Sequence, residues 1–198
     1  MAKSLIDETI DKLMVEGLSP TLVRLGFRLF KRKFQKTVGE FKLELNVQLR
    51  KIPGQNGGYV SVYPGIVEDE LKNLAAELEG VEPRKGWPIA AANIGNLQPE
   101  MEFIEWPITD TTDITNLGEL ICSHIHDYGV PFWEAFSSIT GLVEGYEKDD
   151  PRLTLIGNDY KWQMAAAYCI WGNKDKAKRV FEKWDQGRPQ QKILESAI

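Results

Sequence analysis

Phe41, Leu43, Leu45, Val47 and Leu49 alternate with Lys42, Glu44, Asn46, Gln48 and Arg50. A period of two predicts a strand with one buried face and one wet face, because successive side chains leave opposite sides of the pleat. Before it, Phe27, Leu29, Phe30 and Phe34 change parity once, which predicts a strand near Phe27–Thr37 carrying a bulge. Val38-Gly39-Glu40 is a tight connection, and Pro53-Gly54-Gln55-Asn56-Gly57-Gly58 has the composition of a loop. A third strand, Tyr59–Tyr63, stops at Pro64-Gly65. Connections this short allow only an antiparallel meander, since a parallel crossover needs about a dozen residues or more.

Around this sheet the apolar period changes to that of a helix. Leu5, Ile6, Ile10, Leu13 and Met14 form a stripe that opens with a capping-box pattern at Ser4 and Asp7 and stops at Gly17. Ser19-Pro20 starts a short second helix that ends at Gly26. Glu68–Glu79 reads as a helix, and Pro88–Gly95 and Met101–Trp106 each as a short strand. Ile114–Tyr128 is helical, with Thr112 or Asp113 as its cap. Gly129-Val130-Pro131 breaks the chain before the stripe Phe132, Phe136, Ile139 and Val143.

Lys148-Asp149-Asp150-Pro151 is the linker candidate. It divides the chain into an α+β domain, 1–150, and a helical hairpin with a loose tail, 151–198. Trp162, Ala165, Ala166, Cys169 and Ile170 face Ala177, Val180, Phe181 and Trp184 across a turn at Gly172-Asn173. The pair resembles a single tetratricopeptide unit. One such pair cannot bury its own apolar face, so it docks on the first domain or on a partner, with the first domain expected. The fold class is therefore α+β: an antiparallel meander of three to five strands covered on one face by helices, then a docked helical hairpin.

A 198-residue chain with 42% hydrophobic and 27% charged residues has ordinary globular usage, which sets disordered and collagen-like classes aside. No apolar run reaches the roughly 20 residues of a membrane helix. Acids at Asp7, Glu8 and Asp11 do not suit a signal peptide, so a cytoplasmic protein without a membrane partner is expected. The two cysteines, Cys122 and Cys169, read as small buried hydrophobes.

The net charge of −5 is unevenly spread. Between Arg24 and Lys51 stand nine cations against Glu40 and Glu44, so that block carries +7 and the remainder −12. Arg28, Arg32, Lys36, Lys42 and Arg50 on one sheet face, with Tyr59 and Tyr63 beside them, are the candidate binding residues. Such a face reads as a solvated surface, as a match for acidic protein, or as a nucleic-acid platform.

The run "LGFRLFKRKF", a polar-faced strand ending in Gln48, a third strand reaching Pro64-Gly65, then "WPIAAANIGNL", then a helix leading into "YGVPFWEAFSS" follow in an order that resembles the bacterial family known as domain of unknown function 4304. The resemblance covers about residues 5–150. Family members often carry a tryptophan pair after the fourth strand, where this chain has Trp106. The resemblance implies an α+β fold and brings no catalytic residue or cofactor with it.

Reactive chemistry has little purchase in the chain. His124 and His126, two apart on a helix, point about 200° from each other and do not chelate one ion. The carboxylate pairs Asp149-Asp150 and Asp110/Asp113 and the triplet Glu68-Asp69-Glu70 stand where helix starts want acids. Neither phosphate-binding glycine pattern occurs, and Ser137-Ser138 lacks a nucleophile-elbow context. No catalytic residue, metal site or cofactor is expected. The leading expectation is a non-catalytic protein-binding module of immunity or regulatory type. A nucleic-acid binder using residues 24–51 is the second, and a hydrolase with carboxylate or histidine chemistry the third.

Overall fold

A computed structural model describes residues 4–83, 86–154 and 160–184. Its described residues form an α+β fold with a six-stranded antiparallel sheet and helices on either side of it in the chain. The strands are β1 (Arg28–Phe30), β2 (Lys33–Val38), β3 (Phe41–Lys51), β4 (Gly57–Val67), β5 (Ala90–Ala91) and β6 (Trp106–Thr109). The order is β1-β2-β3-β4-β5, and β6 also pairs with β4. Register places Tyr59 opposite Pro107 and Ile66 opposite Ala90, so β4 carries β6 at its start and β5 at its end.

The single bulged strand expected over Phe27–Thr37 is instead a two-stranded hairpin. Phe30 pairs with Lys33, Leu29 with Phe34 and Arg28 with Gln35, around a two-residue turn at Lys31-Arg32. Lys31 takes the left-handed φ of 59° that such turns require at their first position. The parity change in the sequence is this turn. Strand β4 also runs past the expected stop, through Pro64 and Gly65 to Val67. Of the short strands expected at 88–95 and 101–106, the first occurs as Ala90–Ala91, whereas residues 101–105 are irregular and the strand begins only at Trp106 and runs to Thr109. Between them buried Asn93 fixes the chain. Its Oδ1 accepts from the Gly95 and Ile104 amides, and its Nδ2 donates to the Ile104 carbonyl.

Two compact units are distinguished: Met1–Thr37 with Leu43–Pro64 and Ala92–Trp133, and Val38–Lys42 with Gly65–Ala91 and Glu134–Ile198. In the first unit, α1 (Leu5–Lys12) continues as a π-helical turn, Leu13–Leu18, into α2 (Ser19–Arg24). Ile10, Leu13, Leu18 and Leu22 are fully buried along it. Gly17 therefore does not stop the helix. Nor does Ser4 cap the backbone through its side chain; its hydroxyl donates to Asp7 at 2.6 Å. Helix α4 (Ile114–His124), capped by Asp113, packs on the π turn. The expected break at Gly129-Val130-Pro131 is absent. A second π turn, Ile125–Gly129, widens the helix and lets it accept Pro131 within α5 (Val130–Phe136).

In the second unit, Glu68 caps α3 (Asp69–Glu79) by accepting from the Glu70 and Leu71 amides. Ser138 caps α6 (Ile139–Glu147), and the short α7 (Pro151–Thr154) follows. The C-terminal pair is α8 (Tyr160–Ile170) and α9 (Lys174–Trp184). Helix α8 packs against α3, α6 and α9 through Trp162 and the fully buried Ala165, Ala166 and Ala167. The Phe181 and Trp184 side chains and the tail from 185 onward lie outside the described residues.

Candidate functional site

The outer three strands carry a polar face that the strand period builds directly. On β3 the residues of one parity are Lys42, Glu44, Asn46, Gln48 and Arg50. Gln35 donates to Glu44 at 2.6 Å and Lys33 reaches it at 2.8 Å, so the Lys33/Gln35 side of β2 shares this face. The β1–β2 register adds Arg28 and Phe30. Across the other edge of β3, the Arg50 guanidinium stacks on the Tyr59 ring at 4.5 Å, which adds Tyr59 and, two and four residues on, Ser61 and Tyr63. Arg50 also pairs with Glu105.

Four of the seven candidate residues therefore share the face within the first unit, Arg28, Arg50, Tyr59 and Tyr63, and Lys42 of the second unit has the same parity on β3. The other two do not. The turn at Lys31-Arg32 reverses the parity that a continuous strand would have kept. Arg32 leaves the hairpin toward α1, where it meets Asp7 at 3.0 Å and Asp11 at 3.6 Å. Lys36 falls on the opposite face, with its Nζ 6.0 Å from the Phe27 ring centre. Conversely Phe30, grouped in sequence with the buried apolar positions, is 55% exposed and stands on the polar face. The signal that could have located it was the same change of parity.

Charge on the basic block is largely answered from within the chain. Arg32 pairs with Asp7 and Asp11, Lys33 with Glu44, Lys42 with Asp69, Arg50 with Glu105 and Lys51 with Asp7. Glu44 is only 3% exposed, and its two partners supply both the charge and the hydrogen bonds that a buried carboxylate needs. Arg24, Arg28, Lys31 and Lys36 have no carboxylate partner among the described residues; Arg24 donates instead to the Pro20 carbonyl.

These pairs set an acid response. Hydrogen bonds from Lys51, Ser4 and Arg32 hold the Asp7 carboxyl well below the usual range. In the second unit, Lys42 and Lys72 lower Asp69 to about 2. A depressed carboxylate stabilises the fold above its ordinary value of about 4, and that contribution disappears as pH falls through the lowered value. The melting temperature of the chain is therefore expected to fall between about pH 4 and pH 2 more steeply than that of Asp69→Asn. Asp69 is open to water, so added salt should shrink the difference. Parallel curves for the two proteins would count against the pairing.

The remaining sequence candidates are placed without convergence. His124 lies between Trp106 and Tyr128, with ring centres 5.5 and 6.2 Å away, and Gln98 Nε2 is 3.1 Å from its Nδ1. His126 is exposed and pairs with neighbouring Asp127. Asp150 is engaged by Arg152, Asp69 by Lys42 and Lys72, and Asp113 by the start of α4. Cys122 is buried and Cys169 half-buried, and burial pushes both thiols up. Among the described residues no three His, Cys, Asp or Glu side chains gather as metal ligands, and no helix is long and apolar enough to cross a membrane. In the second unit a cavity of about 120 Å³ is lined by Ala75, Ala76, Trp87, Pro88, Trp162 and Gln163. Among the described residues the buried Gln163 Oε1 has no hydrogen-bond partner, a feature that the sequence gives no hint of.

No family model, curated protein or solved structure matches the chain.

Proposed function

We propose that the chain is a non-catalytic protein-binding module and that the polar sheet face is its interface. The observation that carries the reading is the Arg50–Tyr59 stack, set on a face whose cations are mostly neutralised by the chain's own carboxylates. Tyrosine and arginine dominate the energetic centres of protein interfaces, because each brings a large, stiff contact area together with hydrogen-bonding capacity. Exposed Phe30 and Gln48 extend that area along the same face. A nucleic-acid surface works differently: it needs cations free to replace counterions along a phosphate chain. Here Lys33, Lys42 and Arg50 already have carboxylate partners.

The test compares the full chain with an Arg50→Ala/Tyr59→Ala variant as bait in a nuclease-treated extract. The chain should retain a protein partner through moderate salt. The variant should retain it about tenfold less or worse, with an unchanged circular dichroism spectrum. Retention that vanishes on nuclease treatment, or that the variant leaves intact, would reject this interface.

A further inference from the structure

We infer that the free edge of β1 is a strand-addition site for an extended acidic segment of another protein. The inference rests on the protein-binding reading and adds the place and the chemistry of the partner.

Strand β1 is terminal in the sheet and, among the described residues, is paired only with β2. A two-residue turn makes Phe30 and Lys33 the hydrogen-bonded closing pair. In an antiparallel ladder the next pair, Leu29 and Phe34, is then not hydrogen-bonded to each other. Alternation aims the Leu29 amide and carbonyl away from the sheet. A visiting strand can take both, giving two backbone hydrogen bonds with no rearrangement.

The side chains on the two flanks specify what that strand should carry. On the Leu29 side lies a groove of about 770 Å³ lined by Met14, Val15, Leu29, Lys31, Arg32 and Asp11. Its floor is apolar, and Val15 is 58% exposed within it. A visiting residue placed opposite Leu29 enters this groove, so it should be apolar. The residues on either side of it project to the other face, beside Arg28 and Phe30. Arg28 there and Lys31 at the turn have no carboxylate partner among the described residues, and Lys31 is exposed. Acidic residues at those flanking positions would supply one.

The same charges argue against other occupants. A second copy pairing through its own β1 would set arginine and lysine against arginine and lysine. Short basic edges are a common protection against such self-pairing. Repulsion of a like edge and attraction of an acidic one have the same origin, so one device gives both solubility and partner choice.

The probe is a short synthetic peptide alternating glutamate with valine. Controls are the same peptide with lysine for glutamate and one with proline at its central valine. Binding is followed by fluorescence anisotropy, and amide exchange by nuclear magnetic resonance on the full chain. The acidic peptide should bind at least about tenfold more tightly than either control, and less tightly as salt rises. Saturation should slow exchange of the Leu29 amide. Arg28→Glu with Lys31→Glu, both on the surface and without an ion pair among the described residues, should weaken binding about tenfold or more while leaving the melting temperature nearly unchanged. Equal binding of the lysine peptide, an unprotected Leu29 amide at saturation, or no binding up to about 1 mM would overturn the inference. None of these outcomes touches the capture assay on Arg50 and Tyr59, so the two readings fail separately.

Discussion

Phe34→Ala is expected to cost about 3–5 kcal/mol of folding stability, and Phe30→Ala, four positions away in the same hairpin, about 0.5 kcal/mol or less. Phe34 has no exposed surface, whereas Phe30 is more than half exposed. Truncating a buried aromatic ring loses its transfer energy and leaves a cavity that the surroundings only partly fill. Truncating an exposed ring loses neither. Marginal stability makes the contrast easy to read, because a domain holds only about 5–15 kcal/mol in total. Urea unfolding of the two variants measures it. Similar costs at both positions would mean that the chain continues through Lys31-Arg32 as a strand and that the hairpin register is wrong.

That comparison also locates where the sequence stops being readable. Strand β3 was legible because five apolar residues alternate with five polar ones without interruption. A change of parity, as at Leu29-Phe30, has two physical causes, a bulge or a turn. The turn here uses Lys31-Arg32, with none of the glycine, asparagine or aspartate that normally announces φ above zero. A bulge would put Arg32 and Lys36 on the polar face; the turn sends them elsewhere, while Arg28, Arg50, Tyr59 and Tyr63 share that face. Gly129-Val130-Pro131 misled for a related reason. Proline ends an ordinary helix, but a π turn just before it supplies the room that the ring needs.

Pairing of the basic block lies further still from what one sequence can disclose. The charge asymmetry was visible, but its resolution depends on partners 25, 44 and 55 residues apart, such as Asp7 with Arg32 and Lys51, and Glu105 with Arg50. Nothing local selects those partners. They meet because α1, Arg32, Arg50, Lys51 and Glu105 all belong to one compact unit. The +7 block is therefore a statement about composition, and the polar face it produces carries far less free charge than its residues suggest. That difference is what supports the proposed protein interface over a phosphate-binding one.

Gly118→Ala should cost about 2–3 kcal/mol, and Gly17→Ala distinctly less, about 1 kcal/mol. Both glycines sit where α4 crosses the π turn that follows α1. A methyl group at Gly118 would lie 2.5 Å from the Gly17 Cα and 2.7 Å from its carbonyl carbon and oxygen. All three are backbone atoms, so relief requires the two helices to separate. A methyl group at Gly17 would meet the Leu13 Cδ1 at 2.9 Å, the Ile114 carbonyl oxygen at 3.0 Å and the Gly118 Cα at 3.2 Å. The leucine can turn away, and the remaining approaches are looser. Alanine improves helix propensity by up to about 1 kcal/mol at either site, which offsets part of the cost at both and leaves their order unchanged. Thermal or urea unfolding of the two single variants gives the order directly. Gly17→Ala emerging as the more damaging change, or both emerging as stabilising, would show that the helices do not cross in backbone contact at this point. The buried ridge of Leu13, Leu18 and Ile121 would then need another arrangement.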